Sequence, residues 1–204
     1  MHQFTVPMGL MDFVPVIFFG VSAALLLRDL YNKMSKGIYA LFAAGAVNVF
    51  MAGFLKALWK TLYAANICDI VVFEQMFLPA NSLGLLFVGL GLVGMLCQKK
   101  KTVALSVAPV PFVSSMPFIM MMVVGLGGMC TALSIIAAKM KKAPVMILFI
   151  ASFLCAMGMG YMSSQDSSLA WVNWAEQSIN TVSQLCLMLG VILLHKANLK
   201  DFQF

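Results

Sequence analysis

Charge is what this sequence has least of. Only 10% of its residues are Asp, Glu, Lys or Arg, against 62% apolar, too few charges to cover the surface of a soluble domain. No long polar stretch interrupts the 204 residues, so there is no room for a water-soluble domain of useful size. Histidine is nearly missing. His2 and His195, both near chain ends, are too few for a haem pair or a His-based metal centre and read as solvated terminal residues. The five cysteines (Cys68, Cys97, Cys130, Cys155, Cys186) are scattered, odd in number and without C-x-x-C spacing, which implies neither a disulfide framework nor a zinc site. H-E-x-x-H, G-x-S-x-G, a paired Asp dyad and a Ser/His constellation are all absent, which argues against an intramembrane enzyme. No cofactor is expected.

What is present is a succession of apolar segments, near 10–27, 37–59, 70–97, 117–138, 143–162 and 169–194. About 20 apolar residues cross a bilayer as a helix, so the chain reads as an all-α, polytopic membrane protein. Thr102 to Ser115 is a seventh, weaker candidate, short and carrying Pro109 and Pro111. The formal charge of +6 does not suggest nucleic acid, because the basic residues fall in short blocks at helix ends, where they meet anionic headgroups of the lipid bilayer. The first apolar stretch lacks a basic leader and a small-x-small cleavage site and runs into Arg28 and Asp29, so a retained helix with its N-terminus outside is expected.

Charge asymmetry then counts the crossings. With the N-terminus outside and seven passages, Arg28, Lys33, Lys36, Lys99, Lys100, Lys101, Lys139, Lys141, Lys142, Lys196 and Lys200 all become cytoplasmic, eleven of the 13 basic residues. Asp12, Asp69, Glu74, Asp166 and Glu176 gather outside with Lys56 and Lys60, as the positive-inside rule requires. Six passages cannot place both the Lys99 block and the Lys139 block inside unless 102–116 is re-entrant.

The two halves also echo each other at a spacing of roughly 100 residues. Lys33-Met34-Ser35-Lys36 resembles Lys139-Met140-Lys141-Lys142, and Ala52-Gly53-Phe54-Leu55 resembles Ala151-Ser152-Phe153-Leu154. Phe73-Glu74-Gln75 parallels Ala175-Glu176-Gln177. A single membrane domain over 1–204 is expected, with repeat one at 10–98, a short or re-entrant linker helix at 102–116 and repeat two at 117–196: a seven-helix, 3+1+3 parallel repeat. This plan resembles the architecture of the SWEET sugar facilitators and the nicotinamide riboside transporters. The resemblance implies facing triple-helix bundles around a central solute pocket. The Pro-Gln pair of the broader PQ-loop group is absent, although Pro15 and Pro117 occupy comparable places. Trp171-x-x-Trp174 is similar to aromatic motifs of vitamin transporters, and equally fits an interfacial aromatic belt.

Polar side chains at membrane depth are costly and usually face a cavity or pair within the bundle. In the last helix Asn173, Gln177, Asn180 and Gln184 recur at i, i+4, i+7 and i+11, one helical face, flanked by Glu176 and Ser183. The third contributes Glu74, Gln75, Asn81 and Ser82 beside Pro79, which frees a carbonyl. The second contributes Asn48, Lys56, Trp59, Lys60 and Tyr63. An ion pair between Lys56 and either Glu74 or Glu176 is expected, leaving the other carboxylate for substrate. The candidate solute site is therefore Asn48, Lys56, Glu74, Gln75, Asn81, Trp174, Glu176, Gln177, Asn180 and Gln184; the alternative is that these residues only glue helices together.

Two further patterns carry no function. Gly89-Leu90-Gly91-Leu92-Val93-Gly94 fits G-x-G-x-x-G but lies deep in a membrane helix with no strand before it, and like Gly125, Gly127 and Gly128 it reads as a packing surface. Methionine, at 18 residues, clusters with cysteine as in Cys155-x-Met157-x-Met159, and soft ligands suit Cu(I); filling apolar space is the simpler reading, and no metal is expected. The sequence thus points to an inner (plasma) membrane carrier for a small polar solute: a sugar, vitamin, nucleoside or amino-acid-like molecule. Alternatives are a ligand sensor or assembly subunit whose tail, 195–204, meets a cytoplasmic partner, a homo-oligomer, or the substrate-binding subunit of a vitamin importer.

Overall fold

The computed structural model describes residues 5–97, 115–162 and 170–202, and these are helical with no strand among them. The elements are α1 (Val6–Met11), α2 (Phe13–Leu30), α3 (Lys36–Ala64), α4 (Val71–Cys97), α5 (Met116–Lys139), α6 (Ala143–Met162), α7 (Ala170–Lys196) and a final 3₁₀ turn at Leu199–Asp201. Six helical rods, with α1 and α2 counted as one, are long and apolar enough to cross a membrane. Each is apolar on its outer side: Ile17, Val47, Leu90, Val124, Ile147 and Leu189 are exposed, which water would penalise and lipid does not.

Local chemistry sets the helix ends. Ser35 accepts from the Ile38 backbone N–H to start α3. Asn66 after α3 and Lys141 after α5 are left-handed caps, with φ of 55° and 56°. Paired backbone bonds close both turns, Ile67 to Leu62 with Asn66 to Tyr63, and Lys142 to Ala137 with Lys141 to Ala138. This is the Schellman arrangement. It lets α6 begin two residues after Lys141 and fold back along α5.

The six rods form a ring in chain order, α2–α3–α4–α5–α6–α7, and α7 closes it against α2. Side-chain pairs give the directions. Asp12 meets Lys60, Gly53 meets Val16 and Gly20 meets Phe50, so α2 and α3 are antiparallel. Gly45 sits on Gly84 and Phe42 on Gly91, so α3 and α4 are antiparallel as well; Ser152–Ser183 and Phe149–Gly190 give the same for α6 and α7. Two neighbours run parallel. Along α4 and α5 the contacts rise together, Asn81 on Met122, Leu85 on Gly125, Val93 on Gly128. Along α2 and α7, His195 meets Asp29 near the C-terminal ends while Asp12 and Glu176 interact electrostatically near the N-terminal ends.

Glycine makes the α4–α5 contact possible. A Cβ on Gly125 would lie 2.4 Å from the Leu85 carbonyl carbon, and one on Gly89 would lie 2.4 Å from the Gly125 carbonyl oxygen. The helices therefore touch backbone to backbone, the close approach small residues allow in membranes.

One end of the ring is basic, with Arg28, Lys33, Lys139, Lys141, Lys142, Lys196 and Lys200; the other carries Asp12, Lys56, Lys60, Asp69, Glu74 and Glu176. Because α4 and α5 are parallel, Cys97 lies at the basic end and Ser115 at the opposite one. The linker helix read at 102–116 lies outside the described residues apart from its last two, and Met116 is the first residue of α5.

The basic half is dry and full. Leu30, Phe42, Leu92, Met129, Leu133, Ile136, Leu187 and Leu194 are essentially inaccessible. At mid-depth a cavity of about 10 Å³ is lined by Phe19, Ser22, Phe42, Val88, Met129 and Leu187, from five helices, at the limit for a single water. The chain end seals this half: Leu199 is fully buried, and the Lys33 ammonium donates to the Phe202 carbonyl. Burial pushes the Lys33 amine below the ordinary lysine range, against the opposing pull of Asp201 and Asp29.

Candidate functional site

Helix α7 carries the clearest directional signal. Asn173, Gln177, Asn180, Gln184, Leu187, Val191 and Leu194 follow one another at alternating steps of four and three residues, a single inward seam. Leu187 lines the central cavity with residues of α2, α3, α4 and α5, so the seam faces the ring interior. Its first four members are amides and its last three aliphatic. The interior therefore changes from polar to apolar half-way along the ring.

The amides are within the bundle. Asn173 and Gln177 are 7% and 8% exposed, Asn180 and Gln184 half-buried. Gln177 Nε2 and Gln184 Oε1 are sealed from the surface with no hydrogen-bond partner among the described residues. A buried polar atom left unsatisfied costs about 1–3 kcal/mol, and two of them lie on this one seam. Ser183, one position off the seam, donates to the Ser152 carbonyl at 2.8 Å and ties α7 to α6.

The acidic end of the ring also carries a charged cluster. Lys60 Nζ lies 3.0 Å from Asp12 Oδ2, with side chains only 9% and 10% exposed. The other Asp12 oxygen has no partner among the described residues. Lys56, half-buried, holds its ammonium 4.0 Å from the centre of the Phe77 ring, a cation–π contact, within electrostatic range of Asp12, Glu74, Glu176 and Lys60.

The remaining expected residues divide. Asn48 donates to the Ala80 carbonyl at 2.9 Å, tying α3 to α4, and Asn81 reaches the Met122 sulfur at 3.6 Å, tying α4 to α5. Glu74 and Gln75 are exposed in the first turns of α4, and Trp174 is exposed on the outer side of α7. Glu176 is half-buried beside the seam. So Gln177, Asn180 and Gln184 share the α7 seam with Glu176 beside it, Lys56 interacts electrostatically with Glu176, and Asn48 and Asn81 serve helix packing.

Two ion pairs depart from the expectation. The buried pair at the acidic end joins Lys60 to Asp12; Lys56 instead rests on an aromatic face. The signal for Asp12 was its place as a lone acid interrupting the first apolar stretch, just where α1 gives way to α2. His195, read as solvated, lies 2.7 Å from the buried Asp29, because the last turn of α7 packs against α2. Among the described residues no group of three or more His, Cys, Asp or Glu could hold a metal.

Compared with known proteins, the chain matches no protein-family model, no curated protein and no solved structure.

Proposed function

We propose that this multi-pass membrane protein is a carrier for a small polar solute, which enters from the acidic end and binds along the amide half of the α7 seam. The observation that carries this reading is the pair of sealed, unpartnered amide atoms, Gln177 Nε2 and Gln184 Oε1, on a seam that turns wholly aliphatic below them. Helix glue satisfies its polar atoms, as Asn48 and Ser183 do here; these two do not. The closed basic half matches an occluded barrier on one side of a bound solute.

The same reading sets the acidic end outside the cell membrane and the basic end in the cytoplasm, following the positive-inside rule. Two triplets of like direction, α2–α4 and α5–α7, meeting at two parallel seams, support the 3+1+3 plan similar to the SWEET carriers.

The test is flux. Purified protein in liposomes takes up labelled solutes from a panel of sugars, amino acids, nucleosides and vitamins, and Gln177→Leu and Gln184→Leu each lower uptake by about tenfold or more, the loss of a buried hydrogen bond, while the variants remain folded by circular dichroism. Wild-type uptake in both variants would sink the seam as the binding site. Ligand-dependent melting shifts without flux would identify a sensor instead.

A further inference from the structure

We propose that the turn after α3 holds a binding site for a small primary ammonium group, with Asp69 as its counter-ion and Asn66 as a second acceptor. No residue of the α7 seam lines this site, and it stands whether or not the chain is a carrier.

The turn builds a cavity out of one short run of chain. Asn66, with φ of 55°, reverses the direction at the end of α3, and the Asn66 and Ile67 N–H groups close the turn on the Tyr63 and Leu62 carbonyls. Asp69 then reaches back: its Oδ1 accepts from Trp59 Nε1 at 2.8 Å. Trp59 is only 6% exposed, so its N–H needs this acceptor, and the bond holds the carboxylate in place. Tyr63 stacks on Trp59 with ring centres 5.7 Å apart. Beside these fixed groups the turn leaves a cavity of about 200 Å³, lined by Tyr63, Asn66, Ile67, Cys68 and Asp69. Pockets for drug-sized molecules run to about 300–1,000 Å³, so this one suits a small group.

The lining selects the charge. Asp69 is its one charged residue; no Lys, Arg or His stands in the wall. Asp69 Oδ2 and the Asn66 side-chain amide have no partner among the described residues. An anion would meet a negative wall with no cation to hold it. A divalent metal ion asks for about six oxygen ligands, and among the described residues no group of three or more His, Cys, Asp or Glu could hold one. A neutral hydroxyl would give Asp69 a hydrogen bond, but a charge-assisted one is roughly twice as strong. A primary ammonium has three N–H donors, enough for both Asp69 Oδ2 and Asn66 Oδ1, and its alkyl part suits the Ile67 side of the wall. A quaternary ammonium has no N–H to give either acceptor.

Two sources carry this chemistry. The cavity lies at the acidic end beside Trp59 and Tyr63, residue types of the headgroup zone, and Ile67, Val71 and Val72 next to it are exposed apolar side chains. The ethanolamine headgroup of a lipid brings a primary ammonium from the membrane side, and a free alkylamine brings the same group from the water.

The experiment follows the Trp59 indole N–H by NMR in the full chain, ¹⁵N-labelled at its three tryptophans in maltoside micelles, with the signals assigned through Trp171→Phe and Trp174→Phe. An ammonium on Asp69 Oδ2 draws electron density from the carboxylate that accepts this N–H. Ethanolamine at neutral pH should therefore shift the Trp59 signal saturably, half-maximally at about 1–100 mM as one exposed ion pair allows, and leave the Trp171 and Trp174 signals in place. Ethylene glycol, sodium chloride and tetramethylammonium chloride at equal concentration should not reproduce the shift. Asp69→Asn keeps an acceptor for the indole and should abolish the response. Phosphatidylethanolamine added at a few lipids per chain, against phosphatidylcholine, separates the sources: a Trp59 shift from phosphatidylethanolamine assigns the site to a headgroup, and a shift from ethanolamine alone assigns it to a free amine. No saturable Trp59 shift from either amine, an equal shift from any of the three controls, or a response that persists in Asp69→Asn overturns the proposal, the first two in the wild-type chain without any variant.

Discussion

The Asp12–Lys60 pair gives the sharpest energetic test of the packing at the acidic end. Both side chains are about nine-tenths buried and 3.0 Å apart, so neither charge has bulk water to fall back on. Asp12 already has one oxygen without a partner; Lys60→Met removes the cation from the other and leaves a buried carboxylate uncompensated, at a cost of about 3–5 kcal/mol. Asp12→Leu costs less, because Lys60 keeps a further interaction. The double variant Asp12→Leu/Lys60→Met removes both charges and sets two apolar side chains in their place, so that only the further Lys60 interaction is lost without compensation. The double variant should therefore be more stable than Lys60→Met alone. Midpoints of SDS-induced unfolding in mixed micelles, followed by circular dichroism, read the cycle. Were the pair exposed, each single change would cost under about 1 kcal/mol. Single losses that simply add in the double variant would refute the reasoning, since they would show that the two groups do not feel each other.

Two further outcomes test the architecture. In single-cysteine variants, an impermeant maleimide applied to intact cells should label Cys68 and Ser115→Cys, and reach Cys97 only after permeabilisation; labelling of Cys97 together with Ser115→Cys on one face would contradict the parallel run of α4 and α5. Gly125→Leu, whose Cβ would stand 2.4 Å from Leu85 backbone, should destabilise by about 3 kcal/mol or more, whereas Gly127→Ala, 3.5 Å from the Phe153 ring, should stay within about 1 kcal/mol; equal SDS midpoints for the two would refute the close contact.

Much of this was legible in the sequence because membrane helices advertise themselves. Long apolar stretches give the rods, and the i, i+4, i+7, i+11 spacing of the α7 amides gives their common face without coordinates. What spacing cannot give is which helix a side chain meets. Lys56 and Lys60 are one turn apart on α3 and equally able to reach a carboxylate; which of them pairs depended on the place of Asp12 at the α1–α2 junction, and on Phe77 standing next to the other. Asn48 and Asn81 have the same composition signal as Gln177, yet partners on neighbouring helices, the Ala80 carbonyl and the Met122 sulfur, absorb them. His195 looked terminal in sequence, but it lies in the last turn of α7, and the packing of α7 along α2 brings it to Asp29. The order of helices around the ring is a long-range property with no local trace.

The ring is hinged like a book. Its spine is α4 against α5, where main chains touch through Gly89 and Gly125 and leave no side-chain layer that could repack. Its clasp is α2 against α7, fastened near one edge by Asp29 and His195. Any movement that parts the two covers must undo the clasp and pivot on the spine.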